Sequence, residues 1–93
     1  MVVGVLRVQL AIYEAASLKD KRRIVKSLKD RLSHRFNVSV AEVDSLDLWQ
    51  RADLGIAMVA NESRFVESCL HKMVDEIRRQ SAASLVDYSV ELV

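Results

Sequence analysis

The chain has no proline, two glycines, one cysteine and two histidines, and only 5% of its residues are aromatic. Each shortage closes off a class of explanation. With no proline and no tract of low complexity there is no linker to divide the 93 residues, so they read as one domain, with a net stability of ~5–15 kcal/mol expected at that size. A single cysteine excludes an internal disulfide, and the position of Cys69 on the apolar side of a helical pattern assigns it to the core. His34 and His71 stand apart on charged helix faces, and no His or Cys spacing matches a zinc site. Glu42, Asp44, Asp47 and Asp53 are the only acidic cluster; they lack the glycine-centred loop of a calcium site and read as turn and strand-end residues. No nucleophile has a histidine beside it, and Ser17, the best-placed serine, is accounted for as a helix cap, so neither catalysis nor a cofactor is expected.

Long apolar runs are also missing. The longest are broken at Arg7, Gln9 or Gly55, well short of the roughly 18 residues of a membrane span. No basic region precedes the first apolar stretch, which argues against a signal peptide and makes the cytoplasm the expected location. A hydrophobic fraction of 51% with 29% charged residues is that of a folded globular chain, and nothing in it argues for disorder.

What is present alternates in period. Residues 2 to 12 read as a strand, since Leu6, Val8, Leu10 and Ile12 alternate with Val5, Arg7, Gln9 and Ala11. Ser17 is placed as a helix N-cap with Asp20 in capping-box position, and Leu18, Ile24, Val25, Leu28, Leu32 and Phe36 form one stripe at 3.6-residue spacing. Val38 to Val43 is a short second strand, the DSLD of residues 44 to 47 a turn, and Trp49 to Ala60 a third strand. Asn61 is the expected cap of a second helix whose apolar stripe is Phe65, Val66, Cys69, Leu70, Met73, Val74 and Ile77. Leu85 to Leu92 closes the pattern as a fourth strand, with Val86, Tyr88, Val90 and Leu92 alternating against Asp87, Ser89 and Glu91. The order β-α-β-β-α-β, with two amphipathic helices and four half-buried strands, predicts a ferredoxin-like α+β fold: a four-stranded antiparallel sheet with both helices on one face. Gly4 and Gly55 fall inside strands, where close packing, a bulge or the approach of a partner's backbone would each call for glycine.

Charge is distributed unevenly. Ser17 to Phe36 carries eight of the 14 basic residues and two acids, a net charge of +6, which leaves six bases and eleven acids, −5, on the rest of the chain. Lys19, Arg22, Arg23, Lys26 and Lys29 fall within about 120° of the helical wheel. The second helix keeps its cations, Arg78 and Arg79, at its C-terminal end, as the helix dipole favours. The first gathers Lys19, Lys21, Arg22 and Arg23 at its N-terminal end, where an exposed cation costs a few tenths to ~1 kcal/mol. Two readings stand beside each other: a solvated charged face, or a surface that tracks phosphates, with RNA as the expected partner and Lys19, Lys21, Arg22, Arg23, Lys26 and Lys29 as the candidate contacts. Lys21 falls by angle in the middle of the apolar stripe. Either it snorkels past the sheet edge, or it lines an anion pocket beside Ser17 and Asn61, which would suit a ligand-sensing or oligomerising regulatory domain.

The open face of the expected sheet carries Val5, Arg7, Gln9, Ala11, Gly55, Ala57 and Val59, without the aromatics on which sheet readers of RNA stack bases. A small, partly apolar face of this kind invites a second sheet and predicts a homodimer, with Val5, Arg7, Ala57, Val59, Trp49 and Arg51 as candidate contacts. Trp49 has three available roles: stacking on a base, anchoring a partner subunit, or packing within its own hairpin.

The segments VVGVLRVQL, SLKDKRRIVKSLKDRL, FNVSVAEVD and DLWQRADLGIAMV together resemble the bacterial YlxP-like family, a domain of unknown function, over almost the whole chain. The resemblance implies a small bacterial cytoplasmic protein of the fold already derived. Genes of the family often neighbour those of translation initiation and ribosome maturation factors, which implies contact with RNA or the ribosome. By position it highlights Ser17, Leu18, Lys19, Lys21, Arg22, Arg23, Glu42, Asp44, Trp49, Gln50 and Arg51, and it assigns chemistry to none of them.

Overall fold

In a computed structural model that describes residues 1–93, the elements are β1 (Val2–Ala11), α1 (Leu18–Arg35), β2 (Val38–Asp44), β3 (Arg51–Ala60), α2 (Ser63–Arg78) and β4 (Ser84–Leu92). The strands form one sheet in the order β2-β3-β1-β4, and every neighbouring pair is antiparallel. Strand alternation assigns the faces. Leu6, Val8 and Leu10 of β1 and Ala52, Leu54, Ile56 and Met58 of β3 are buried beneath the helices, whereas Arg7, Arg51, Ala57 and Val59 are exposed on the other side. Helix α1 packs over β2 and β3, and α2 over β1, β3 and β4. The ferredoxin-like arrangement expected from the element order is the one observed. No helix is long and apolar enough to cross a membrane.

Close packing accounts for Gly4. A Cβ built there would lie 2.4 Å from Val66 Cγ1 and 2.9 Å from Leu70 Cδ1, so the absence of a side chain on β1 is what lets α2 settle onto the sheet. Gly55 serves the opposite face, where its Cβ would meet Val43 Cγ1 at 3.0 Å. Val43 occupies a bulge in β2, between the pairs Glu42–Leu54 and Asp44–Asp53.

Four local expectations are corrected. Strand β3 begins at Arg51, which leaves Trp49 in the preceding loop rather than in the parity of the strand. Helix α2 is capped by Glu62, not Asn61: the Glu62 carboxylate accepts from Arg64 N and Phe65 N, and its full negative charge suits the helix N-terminus better than a neutral amide would. Phe65 is exposed, because it lies about 110° from the centre of the buried arc, beyond the edge that Cys69 marks. Val86 is the extra residue of a bulge in β4 between the pairs Gln9–Asp87 and Leu10–Leu85; the bulge shifts the alternation by one, turning Val86 outward and Leu85 toward the core.

Candidate functional site

Helix α1 begins as its sequence requires. Ser17 Oγ accepts from Asp20 N at 3.1 Å, and Asp20 Oδ2 accepts in return from Ala16 N at 3.0 Å. Val25, Leu28 and Leu32 are buried against the sheet, which sends the basic arc outward. Lys19, Arg22, Arg23 and Lys26 are exposed and Lys29 is half-buried. Arg23 and Lys26 form ion pairs with Asp20 at 2.8 Å and Asp30 at 3.1 Å. Both pairs lie within the exposed helix, where such contacts contribute only about 0.3–0.5 kcal/mol. Lys19, Arg22 and Lys29 form no ion pair with any residue of the chain.

Three further residues join this surface that the sequence reading did not single out. Arg31, His34 and Arg35 line a shallow, wholly polar groove of about 540 Å³ together with Arg23, Lys26, Ser27, Asp30 and Glu76. Its far wall comes from α2 and the turn after it: Arg35 pairs with Glu76, and Arg31 donates to the Gln80 side-chain oxygen. The four-residue spacing of Arg23, Ser27, Arg31 and Arg35 already placed those residues on one flank of the helix. That α2 brings a carboxylate and an amide opposite them depends on tertiary packing.

Lys21 does not belong to the surface. It is fully buried, and its Nζ lies 2.6 Å from Glu42 Oε2 and donates to the carbonyls of Ser45 at 2.9 Å, Leu46 at 3.2 Å and Arg51 at 3.3 Å. Its place in the apolar stripe reflects this burial; it neither snorkels nor contacts nucleic acid. Nor does it line an anion pocket with Ser17 and Asn61, since four oxygens already surround the ammonium, and the regulatory reading loses its ligand site with it. What Lys21 does is tie the first turn of α1 to the loop between β2 and β3.

That loop is held at several further points. Ser45 takes a left-handed backbone conformation with φ 56°, its N–H bound to Asp44 and its hydroxyl to Asp53, while Gln50 Nε2 donates to the carbonyls of Tyr13 and Ala15. Trp49 in this loop keeps 52% of its surface exposed, as Leu46, Leu48 and Tyr13 keep half or more of theirs, so it is not packed inside its hairpin. Of the candidates on the open face, Arg7, Arg51, Ala57 and Val59 are exposed and Val5 is half-buried.

Arg51 and Asp53 form an ion pair at 2.9 Å along β3. The hydrogen bond from Arg51 holds the Asp53 carboxyl below its ordinary value; the Ser45 hydroxyl and the charges of Arg51 and Lys21 add to this, and burial opposes it. Because the folded state favours the carboxylate, its contribution is complete above the unfolded value of about 3.9 and is lost as pH falls through the lower, folded value. Asp53→Asn should therefore lower the melting temperature near neutral pH and approach the wild type in acid. Melting curves that stay parallel from pH 7 to strong acid would contradict this.

Comparison with known proteins places the chain in context. The model of a protein family of unknown function, DUF503, matches residues 3–90. The uncharacterised protein YlxP of Bacillus subtilis (strain 168) is 36% identical over 72 residues, covering 77% of this chain and 78% of that protein. The solution NMR structure of a de novo designed protein with a ferredoxin fold superposes with a TM-score of 0.52 at 15% identity, over 100% of this chain and 84% of that one, a likeness of fold alone. Matched by the family model from its first strand into its last, the chain belongs to the DUF503 family, whose function is unknown.

Proposed function

We propose that the protein is a non-enzymatic module of the cytoplasm that binds structured RNA, free or within a ribosomal particle, through the outer face of α1 and the polar groove beside it. The observation that carries this reading is the set of exposed cations without carboxylate partners, Lys19, Arg22 and Lys29, flanked by Arg23 and Lys26, whose only partners are exposed acids of the same helix. Phosphates can replace those acids at little cost, because the exposed pairs are weak. Removing Lys21 from the set leaves the argument to these five residues. Arg31 and Arg35, across the groove, extend the basic surface toward α2.

Binding of this kind is dominated by counterion release. With four or five phosphates engaged, affinity should fall about 10²-fold between 50 and 200 mM salt, using the slope known for duplexes. Arg22→Glu combined with Lys26→Glu should abolish binding without altering the melting temperature, since both side chains are exposed. The measurement is a salt series of gel shifts or fluorescence anisotropy with ribosomal RNA and with 30S particles. Absence of any salt-sensitive shift with either would remove the proposal.

A further inference from the structure

We infer that a second copy of this chain packs against the open face of the sheet, forming a twofold dimer with the helices of both copies outermost. The face is shaped for another sheet. Small residues, Ser39, Ala41, Gly55 and Ala57, form the floor of an apolar trough of about 420 Å³ on β2 and β3. Val5 borders the trough on one side, and on the other the β2 bulge raises Val43 over Gly55, leaving it 55% exposed. A floor of small residues beside a raised valine presents, on one surface, both the projection and the recess that an isologous contact needs.

The charges on the face are also self-complementary. Arg7 stands exposed in β1 without an ion-pair partner, at the boundary between the apolar trough and a second cleft of about 200 Å³. Asp44, Asp53 and Asp87 line that cleft, and only Asp53 has a cation paired with it. In a face-to-face pair related by a twofold axis, the Arg7 of each copy is offered the unpaired carboxylates of the other. An RNA partner is disfavoured here, because Asp44, Asp53, Asp87 and Glu91 outnumber Arg7 and Arg51, and the strands carry no aromatic side chain on this face.

Extent is consistent with a dimer of modest affinity. Four strands of about ten residues span roughly 33 Å by 19 Å, hence about 600 Å² on each copy. Two such faces bury about 1,200 Å², the lower end of the range for specific interfaces. A dissociation constant in the micromolar range is the expected result.

Sedimentation velocity over a concentration series, from low micromolar to submillimolar, tests the inference on the full chain. The wild type should pass from monomer to dimer. Ala57→Arg should weaken dimerisation at least about a hundredfold, because it places an unpaired guanidinium on the trough floor. Arg7→Asp should weaken it too, and Arg7→Asp with Asp87→Arg should recover most of the loss. Both Ala57 and Arg7 are exposed, so melting temperatures should not change; if Ala57→Arg fails to fold, the Arg7 pair of variants still decides. A wild type that stays monomeric throughout, a folded Ala57→Arg that dimerises normally, or an exchange of charges that recovers nothing would overturn the inference. None of these readouts involves RNA, so the dimer and the RNA surface stand or fall separately.

Discussion

Replacing Lys21 by methionine is expected to cost about 3–5 kcal/mol, the range measured when one partner of a buried ion pair is removed. For a domain of this size that corresponds to a fall of ~20 °C in melting temperature and can approach the whole of its net stability. The loss does not come from packing, because methionine matches the length and apolar character of the lysine stem. It comes from Glu42 Oε2, which is buried and whose only polar neighbour is the Lys21 ammonium, and from three carbonyls left without their donor. Adding Glu42→Leu to Lys21→Met should therefore recover much of the loss, because the orphaned carboxylate disappears, and the remaining deficit reports the carbonyls of Ser45, Leu46 and Arg51. If the double variant is no more stable than the single one, the stability lies in the carbonyl contacts and the ion pair contributes little. Since Lys21 joins α1 to the β2–β3 loop, hydrogen exchange in residues 45–51 should accelerate in the single variant even where the rest of the molecule stays folded.

Gly4→Val separates two effects that point in opposite directions. Strand propensity favours valine over glycine in β1, which on its own would stabilise the protein by up to ~1 kcal/mol. Packing forbids it. Even the first carbon of the side chain would come within 2.4 Å of Val66 Cγ1, and a helical valine has essentially one rotamer, so it cannot turn aside. Either α2 lifts from the sheet or the strand distorts, and overpacking of this kind costs about 1–3 kcal/mol or more. Packing should win, and Gly4→Val should lower the denaturant midpoint. In a double-mutant cycle Gly4→Ala and Val66→Ala should couple favourably, because the shortened Val66 makes room for the new methyl group. Additive effects would mean that α2 does not sit where the structure puts it.

These two residues also show where pattern reading stops. Lys21 was visible as an anomaly, a charge in the middle of the apolar stripe of α1, but the four oxygens that hold it come from residues 42, 45, 46 and 51, which helical spacing cannot bring near. Gly4 was visible only as a strand glycine. The side chains that require it are on α2, more than sixty residues later. The bulges in β2 and β4 reset the alternation at Val43 and Val86, and a two-residue period extrapolated through them puts the next side chain on the wrong face.

Composition and period alone were enough for the element order, the sheet with both helices on one side, the membership of the Leu and Val stripes, the Ser17 cap and the outward basic arc of α1, because each depends on contacts within a few residues or on a period that survives without knowledge of the neighbours. Three-dimensional packing was needed to withdraw Lys21 from the basic surface, to add Arg31, His34 and Arg35 to it through the groove beside α2, to leave Trp49 exposed in a pinned loop, and to set Arg7 beside acids it does not pair with. The division has a physical basis. Burial stripes and caps are local free-energy minima written into consecutive residues, whereas the partners of a charge are whichever groups long-range folding brings within a few ångströms of it.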